Sequence, residues 1–119
     1  MTDESAPETD LDPERFAELI AAGGRLIDVR RPYEFEGSRL AGAENIEMNE
    51  LTAAADSIER DRPVLFYCRS GNRSGMAAEA FRQAGYDAYH LAGGLEAWVA
   101  AGRPVEPEDG GVRAPLPAS

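Results

Sequence analysis

The stretch Val64-Leu65-Phe66-Tyr67-Cys68-Arg69-Ser70-Gly71-Asn72-Arg73-Ser74 decides how this chain folds. Four apolar residues run into the only cysteine of the sequence. A short glycine-bearing loop follows, and helical periodicity then begins: Met76, Ala77, Ala80, Phe81 and Ala84 recur at the spacing of one buried helix face. A short continuous apolar run reads as a strand covered on both faces, so Cys68 stands at its C-terminal end. Open α/β sheets bind their ligands at that end. The amides of such a loop, together with the helix N-terminus, gather negative charge, and a thiol held among them is driven toward thiolate. A free cysteine is also often a small core residue. The cradle and its two arginines, Arg69 and Arg73, favour a functional thiol.

Outward from that centre, the rest of the chain alternates strand-like and helix-like segments. Asp12-Pro13-Glu14 is a helix start, with a capping carboxylate, proline in the first turn and an acid at the positive dipole end. Phe16, Leu19 and Ile20 form its apolar face, Gly23-Gly24 ends it, and Leu11 before it suits a short edge strand. Leu26-Ile27-Asp28-Val29 is strand-like. Asp28 and Arg30 interrupt the apolar pattern at its end, either as a structural ion pair or as part of a site rim. Arg31 to Gly37 contains Pro32 and reads as a loop or a short helical turn, and Ala43 to Ile46 suits a brief strand. Leu51, Ala54, Ala55 and Ile58 repeat with helical spacing, with Asn49 as the expected cap.

Beyond the central segment, Gly85 stops its helix, Ala88 to Leu91 is a further strand, and Leu95, Trp98 and Val99 make a last helix face closed by Gly102. His90 lies inside the strand-like run and reads as a packed or hydrogen-bonded residue rather than a catalytic base. Strands alternating with helices predict a largely parallel α/β sheet covered on both faces. The expected domain is 11–105, preceded by an acidic polar tail, 1–10, and followed by a Pro/Gly-rich tail, 106–119, with both tails dispensable.

The totals bound the function. The 119 residues fit one domain, and 43% hydrophobic residues suffice for a core. The formal net charge is -10, the pI is about 4.5, and every one of the 12 basic residues is arginine. That balance argues against nucleic acid or an anionic membrane as partner. A single cysteine makes no internal disulfide, no signal-like apolar run opens the sequence, and no stretch is long enough to span a bilayer. The expectation is a cytoplasmic protein. One histidine and one cysteine offer no metal-ligand cluster, so neither metal nor other cofactor is expected.

Four stretches belong together: Asp28-Val29-Arg30 with Glu34-Phe35; Gly42-Ala43 with Asn45-Ile46; Cys68 to Ser74; and Leu91-Ala92-Gly93-Gly94-Leu95-Glu96-Ala97-Trp98. In this order they resemble the signatures of the rhodanese family. Ser38 to Ala41 and Glu47 depart from the family's pattern, away from the cysteine loop. The resemblance implies a rhodanese-like fold, a five-stranded parallel sheet flanked by helices on both faces. It also implies sulfurtransferase chemistry: Cys68 takes a sulfane sulfur from a small anionic donor, thiosulfate or a persulfide, and passes it to a thiol or cyanide acceptor. The amides of Arg69 to Ser74 would stabilise the charged sulfur, with Gly71 giving the loop its turn and Arg73 and Arg69 clamping the donor. Ser70 and Ser74 would donate hydrogen bonds, or Ser74 would cap the helix. The alternatives are a sulfur carrier or binding module without turnover, and a phosphatase or arsenate reductase using a similar loop. Four residues separate Cys68 from Arg73, one fewer than in phosphatase-type loops of related fold, and Tyr67 precedes the cysteine where those carry histidine.

Overall fold

The computed structural model describes residues 9–107. The expected tails therefore lie mostly outside the described residues, at 1–8 and 108–119. Among the described residues ten strands and α-helices follow one another: β1 (Asp10–Leu11), α1 (Pro13–Ala21), β2 (Arg25–Asp28), α2 (Pro32–Gly37), β3 (Glu44–Asn45), α3 (Leu51–Ala54), β4 (Val64–Tyr67), α4 (Asn72–Gln83), β5 (Ala88–Leu91) and α5 (Gly94–Ala100), with short 3-10 turns on either side of α3. The strands form one parallel sheet in the order β1-β5-β4-β2-β3. The α/β architecture expected of the sequence is the one observed, with β4 at the centre.

The centre follows from β4 being apolar on both sides. All four of its residues are buried, and alternation sends them to opposite faces. Val64 and Phe66 join Ile27, Val29, Ala77, Ala78 and Phe81 under α3 and α4. Leu65 and Tyr67 join Phe16, Leu26, Leu91, Leu95 and Trp98 under α1 and α5. Edge-to-face rings lock each layer, Phe66 on Phe81 at 5.0 Å and Phe16 on Trp98 at 6.4 Å between centroids. In register, Leu26 lies beside Leu65 and Ile27 beside Phe66. Chain order runs outward from β4 to β5 on one side and from β2 to β3 on the other. The direction reverses between β2 and β4, and their C-terminal ends flank the crevice where α/β sheets bind ligands.

Local signals in α1 hold: Asp12 caps it, accepting the Arg15 N–H at 2.8 Å, with Pro13 in the first turn. Other expectations shift. The buried face of α4 is Ser74, Ala77, Ala78 and Phe81, and Met76 is 60% exposed, with Ala80 and Ala84 also exposed. The helix is turned about its axis because its first residues must face the cysteine and its small residues must seat against β4 and β5. Asn49 is not a cap. It lies within a 3-10 turn, Met48–Glu50, that runs directly into α3. Val99 is 38% exposed, so α5 buries Leu95 and Trp98 alone of its expected face.

Both domain boundaries also move outward by a residue or two. Asp10 is a strand residue and not part of a solvated tail: His90 N donates to Thr9 O at 2.8 Å and Ala92 N to Leu11 O at 2.8 Å. Glu106 makes a two-way backbone bridge with Arg39, at 2.9 and 2.8 Å, that seats Val105 in the core. No helix among the described residues is long and apolar enough to cross a membrane.

Candidate active site

Cys68 follows directly on β4, is 1% exposed, and sits at the floor of the loop that joins β4 to α4. Its sulfur accepts the Gly71 N–H at 3.1 Å and the Ser74 N–H at 3.4 Å. Among the described residues these two are the amide donors to the sulfur, fewer than the six expected from Arg69 to Ser74. Gly71 reaches the sulfur with φ of 105°, a left-handed angle that side chains disfavour. The sulfur thus lies at the N-terminal end of the 12-residue α4, where unpaired amides and the helix dipole favour negative charge.

The amides point inward because the loop's carbonyls are held from outside. Leu95 N donates to Cys68 O at 2.8 Å, and Glu96 N donates to Arg69 O at 3.0 Å. The first turn of α5 thus satisfies carbonyls that would otherwise compete for the cradle. Gly94 makes this contact possible. A Cβ there would collide with the Arg69 carbonyl group and approach Cys68 O to 2.7 Å, at a φ of +64°. Gly94→Ala is expected to cost about 3 kcal/mol or more, from left-handed strain plus overpacking. A urea titration reads the stability. The same variant should lose thiol reactivity even at temperatures where it remains folded.

The arginines are paired. Arg73, 27% exposed on its side chain, meets the fully buried Glu34 of α2 through two contacts, at 3.0 and 3.3 Å. Burial opposes the Arg73 charge, and the Glu34 carboxylate more than offsets it, holding the guanidinium above its ordinary range. Arg69 meets Glu96 at 3.0 Å near the surface. The side chains of Ser70 and Asn72 are exposed and the structure does not bring them to the sulfur.

Asp28 and Arg30 are not rim residues. Both side chains are fully buried and joined at 2.7 Å, with the Arg30 Nε 3.0 Å from each Asp28 carboxylate oxygen. Arg30 also donates to Ser38 O and lies over the Tyr67 ring, 5.6 Å from its centroid. Burial pushes the Tyr67 phenol far above its ordinary range. A charge pair sealed this way braces the loop after β2, and solvent does not reach it. Asn45 completes the brace, its side-chain amide donating to Asp28 O at 3.0 Å and Arg30 O at 2.9 Å.

Other residues shape the surface past the C-terminal end of β2. A recess of about 250 Å³ is lined by Val29, Arg31, Glu47, Met48, Asn49 and Arg73. Its lining brings Arg31 and Arg73 together with one acidic residue, Glu47. Sequence reasoning named neither Arg31 nor Glu34 as a site residue. Both sit in α2 or at its start, at charged positions that local pattern treats as solvated. The arrangement offers a buried thiol at a helix N-terminus with amide donors on its sulfur, a setting that favours negative charge there and suits nucleophilic attack by sulfur.

The family model for the Rhodanese-like domain matches residues 12–101. The uncharacterized protein YqhL of Bacillus subtilis is 44% identical over 75 residues, covering 62% of this chain and 60% of that protein, so this chain spans less than two thirds of its length. The thiosulfate sulfurtransferase GlpE of Pseudomonas aeruginosa is 33% identical over 98 residues, covering 82% of this chain and 86% of that enzyme. Among solved structures, a rhodanese-related protein from Thermoplasma volcanium superposes with a TM-score of 0.75 at 32% identity, covering 81% of this chain and 95% of that one.

Proposed function

The chain belongs to the rhodanese-like domain family, and from that premise we propose that it is a sulfurtransferase in which Cys68 carries sulfur as a persulfide. The observation that carries the reading is the Cys68 sulfur at the end of the central strand with the Gly71 and Ser74 amides on it. In the first step the Cys68 thiolate attacks the outer sulfur of thiosulfate. A sulfur–sulfur bond forms, the donor's own S–S bond breaks, and its electron pair leaves with sulfite. In the second step an acceptor thiolate, or cyanide, attacks the outer sulfur of the persulfide, and the Cys68 thiolate departs.

The donors on the sulfur suit this chemistry because its charge is retained at every stage and no proton has to move. Amides aimed at the sulfur stabilise thiolate and persulfide alike, without a general base. A slender donor would meet the buried thiol end-on, with Arg73 the cation for its anionic oxygens. A persulfide donor would meet the same geometry.

Intact mass spectrometry tests the reading. Incubation with thiosulfate should add the mass of one sulfur atom, and cyanide or a small thiol should remove it. A chain that takes up no sulfur from thiosulfate or from a small-molecule persulfide is not a sulfurtransferase.

The Arg73–Glu34 pair yields a prediction of its own. Arg73→Ala should slow loading by thiosulfate about tenfold or more, the worth of one charge-assisted contact. It also leaves the buried Glu34 carboxylate uncompensated beside an anionic donor. The double variant Arg73→Ala/Glu34→Gln should therefore load faster and unfold at a higher temperature than Arg73→Ala alone. Loading rates and thermal melts of the three proteins check both parts. If the double variant is the slower one, Glu34 has a role other than partner to Arg73.

A further inference from the structure

Ser74 touches the sulfur through its amide, but its side chain faces the other way. The Ser74 hydroxyl lies 3.0 Å from Nδ1 of His90 on β5, and Nε2 of that ring lies 2.8 Å from the Asp10 carboxylate on β1. His90 is 6% exposed, and Ser74 is fully buried. The ring packs close against the start of α4, since a Cβ at Gly75 would meet its Cε1 at 3.3 Å. These contacts link the outermost strand, its neighbour and the catalytic loop, across 80 residues of sequence between Asp10 and His90.

The proton directions follow from the groups. An ionised carboxylate only accepts, so His90 Nε2 carries the hydrogen toward Asp10. In the neutral ring Nδ1 is then an acceptor, and it takes the hydrogen of the Ser74 hydroxyl. That hydroxyl has one hydrogen and a second acceptor in reach, Gly71 O at 3.4 Å. Gly71 carries the shorter of the two amide contacts to the sulfur. With His90 as acceptor, the hydroxyl pins the first turn of α4 to the sheet. Without it, the hydroxyl turns to the Gly71 carbonyl and pulls on the loop.

We propose that Asp10, His90 and Ser74 form a hydrogen-bond relay that holds the Ser74 and Gly71 amides on the Cys68 sulfur, with His90 and Asp10 as positioning residues. The relay acts through the loop and touches no substrate. It rests on Cys68 being the reactive thiol. Alkylation reads that thiol directly, whether or not the protein turns over thiosulfate.

The experiment is the rate of Cys68 alkylation by iodoacetamide, a small neutral reagent, in full-length variants at neutral pH. His90→Ala should slow alkylation about fivefold, the worth of one hydrogen bond to the cradle. His90→Asn, whose amide oxygen can stand where Nδ1 stood, should remain within about twofold of wild type. Asp10→Ala changes a half-exposed side chain and keeps the fold. It releases the tautomer and should slow the reaction about threefold. Ser74→Ala should match His90→Ala, and the Ser74→Ala/His90→Ala double variant should be no slower than either single, because the two remove one interaction. The proposal is overturned if His90→Ala or Asp10→Ala alkylates like wild type, if His90→Asn is as slow as His90→Ala, or if the losses multiply in the double variant.

Discussion

Cys68→Ser is expected to abolish sulfur transfer altogether. A serine hydroxyl is neither ionised nor soft at neutral pH, and no second thiol exists among the 119 residues to replace it. Removing a covalent nucleophile costs a rate factor of at least about 10³, and under the proposed mechanism it also removes the atom that would carry the transferred sulfur. The variant should fold normally, because oxygen in place of a buried sulfur still accepts the Gly71 and Ser74 amides. Two measurements check the outcome: thiosulfate:cyanide transfer, and the mass gained on incubation with thiosulfate. Transfer that persists in the serine variant removes Cys68 from the mechanism. Uptake of sulfur by wild type without release to any acceptor would make the protein a carrier rather than a turnover enzyme. Aryl phosphate hydrolysis lost in the serine variant would move the assignment to a phosphatase.

The second large effect concerns stability. Asp28→Ala should cost about 3–5 kcal/mol, because it leaves the Arg30 guanidinium buried and uncompensated. Both side chains are fully buried, and the 2.7 Å contact is supported by the Arg30 Nε on the same carboxylate. Burial opposes the Arg30 charge, and Asp28, helped by Tyr67 and Glu34, holds the guanidinium above its ordinary range. For a domain of this size the loss lowers Tm by more than about 10 °C. Replacing both residues, as Asp28→Leu/Arg30→Met, should cost much less, since apolar groups of similar volume leave no stranded charge. Thermal and urea unfolding of the two variants provide the test. Asp28→Ala that unfolds like wild type yet loads sulfur slowly would return the pair to the rim of the site.

Much of this protein is legible in its sequence, for a local reason. Val64 to Tyr67 is apolar without a break, so it had to be a strand covered on both faces, and the glycine-bearing loop and helical spacing after it placed Cys68 at the ligand-binding end of a sheet. Asp12-Pro13 announced α1 through capping chemistry that needs only adjacent residues. The order of the signatures along the chain sufficed to place the family, which the match over residues 12–101 shows.

What only the tertiary structure decided are the meetings between polar groups. Charges after β2 carry the same letters whether they are sealed or solvated, so Asp28 and Arg30 stayed ambiguous until burial was known. The turn of α4 about its axis was missed because alanine-rich spacing fits two neighbouring faces, and contact with β4 and β5 chose Ala77 and Ala78 over Met76 and Ala80. Glu34 reaches Arg73 across 39 residues, and Asp10, read as tail, reaches His90 across 80. Hydrophobic periodicity records which residues leave water. A hydrogen bond depends on distance and direction between groups far apart in the chain, and only the folded sheet brings those groups together.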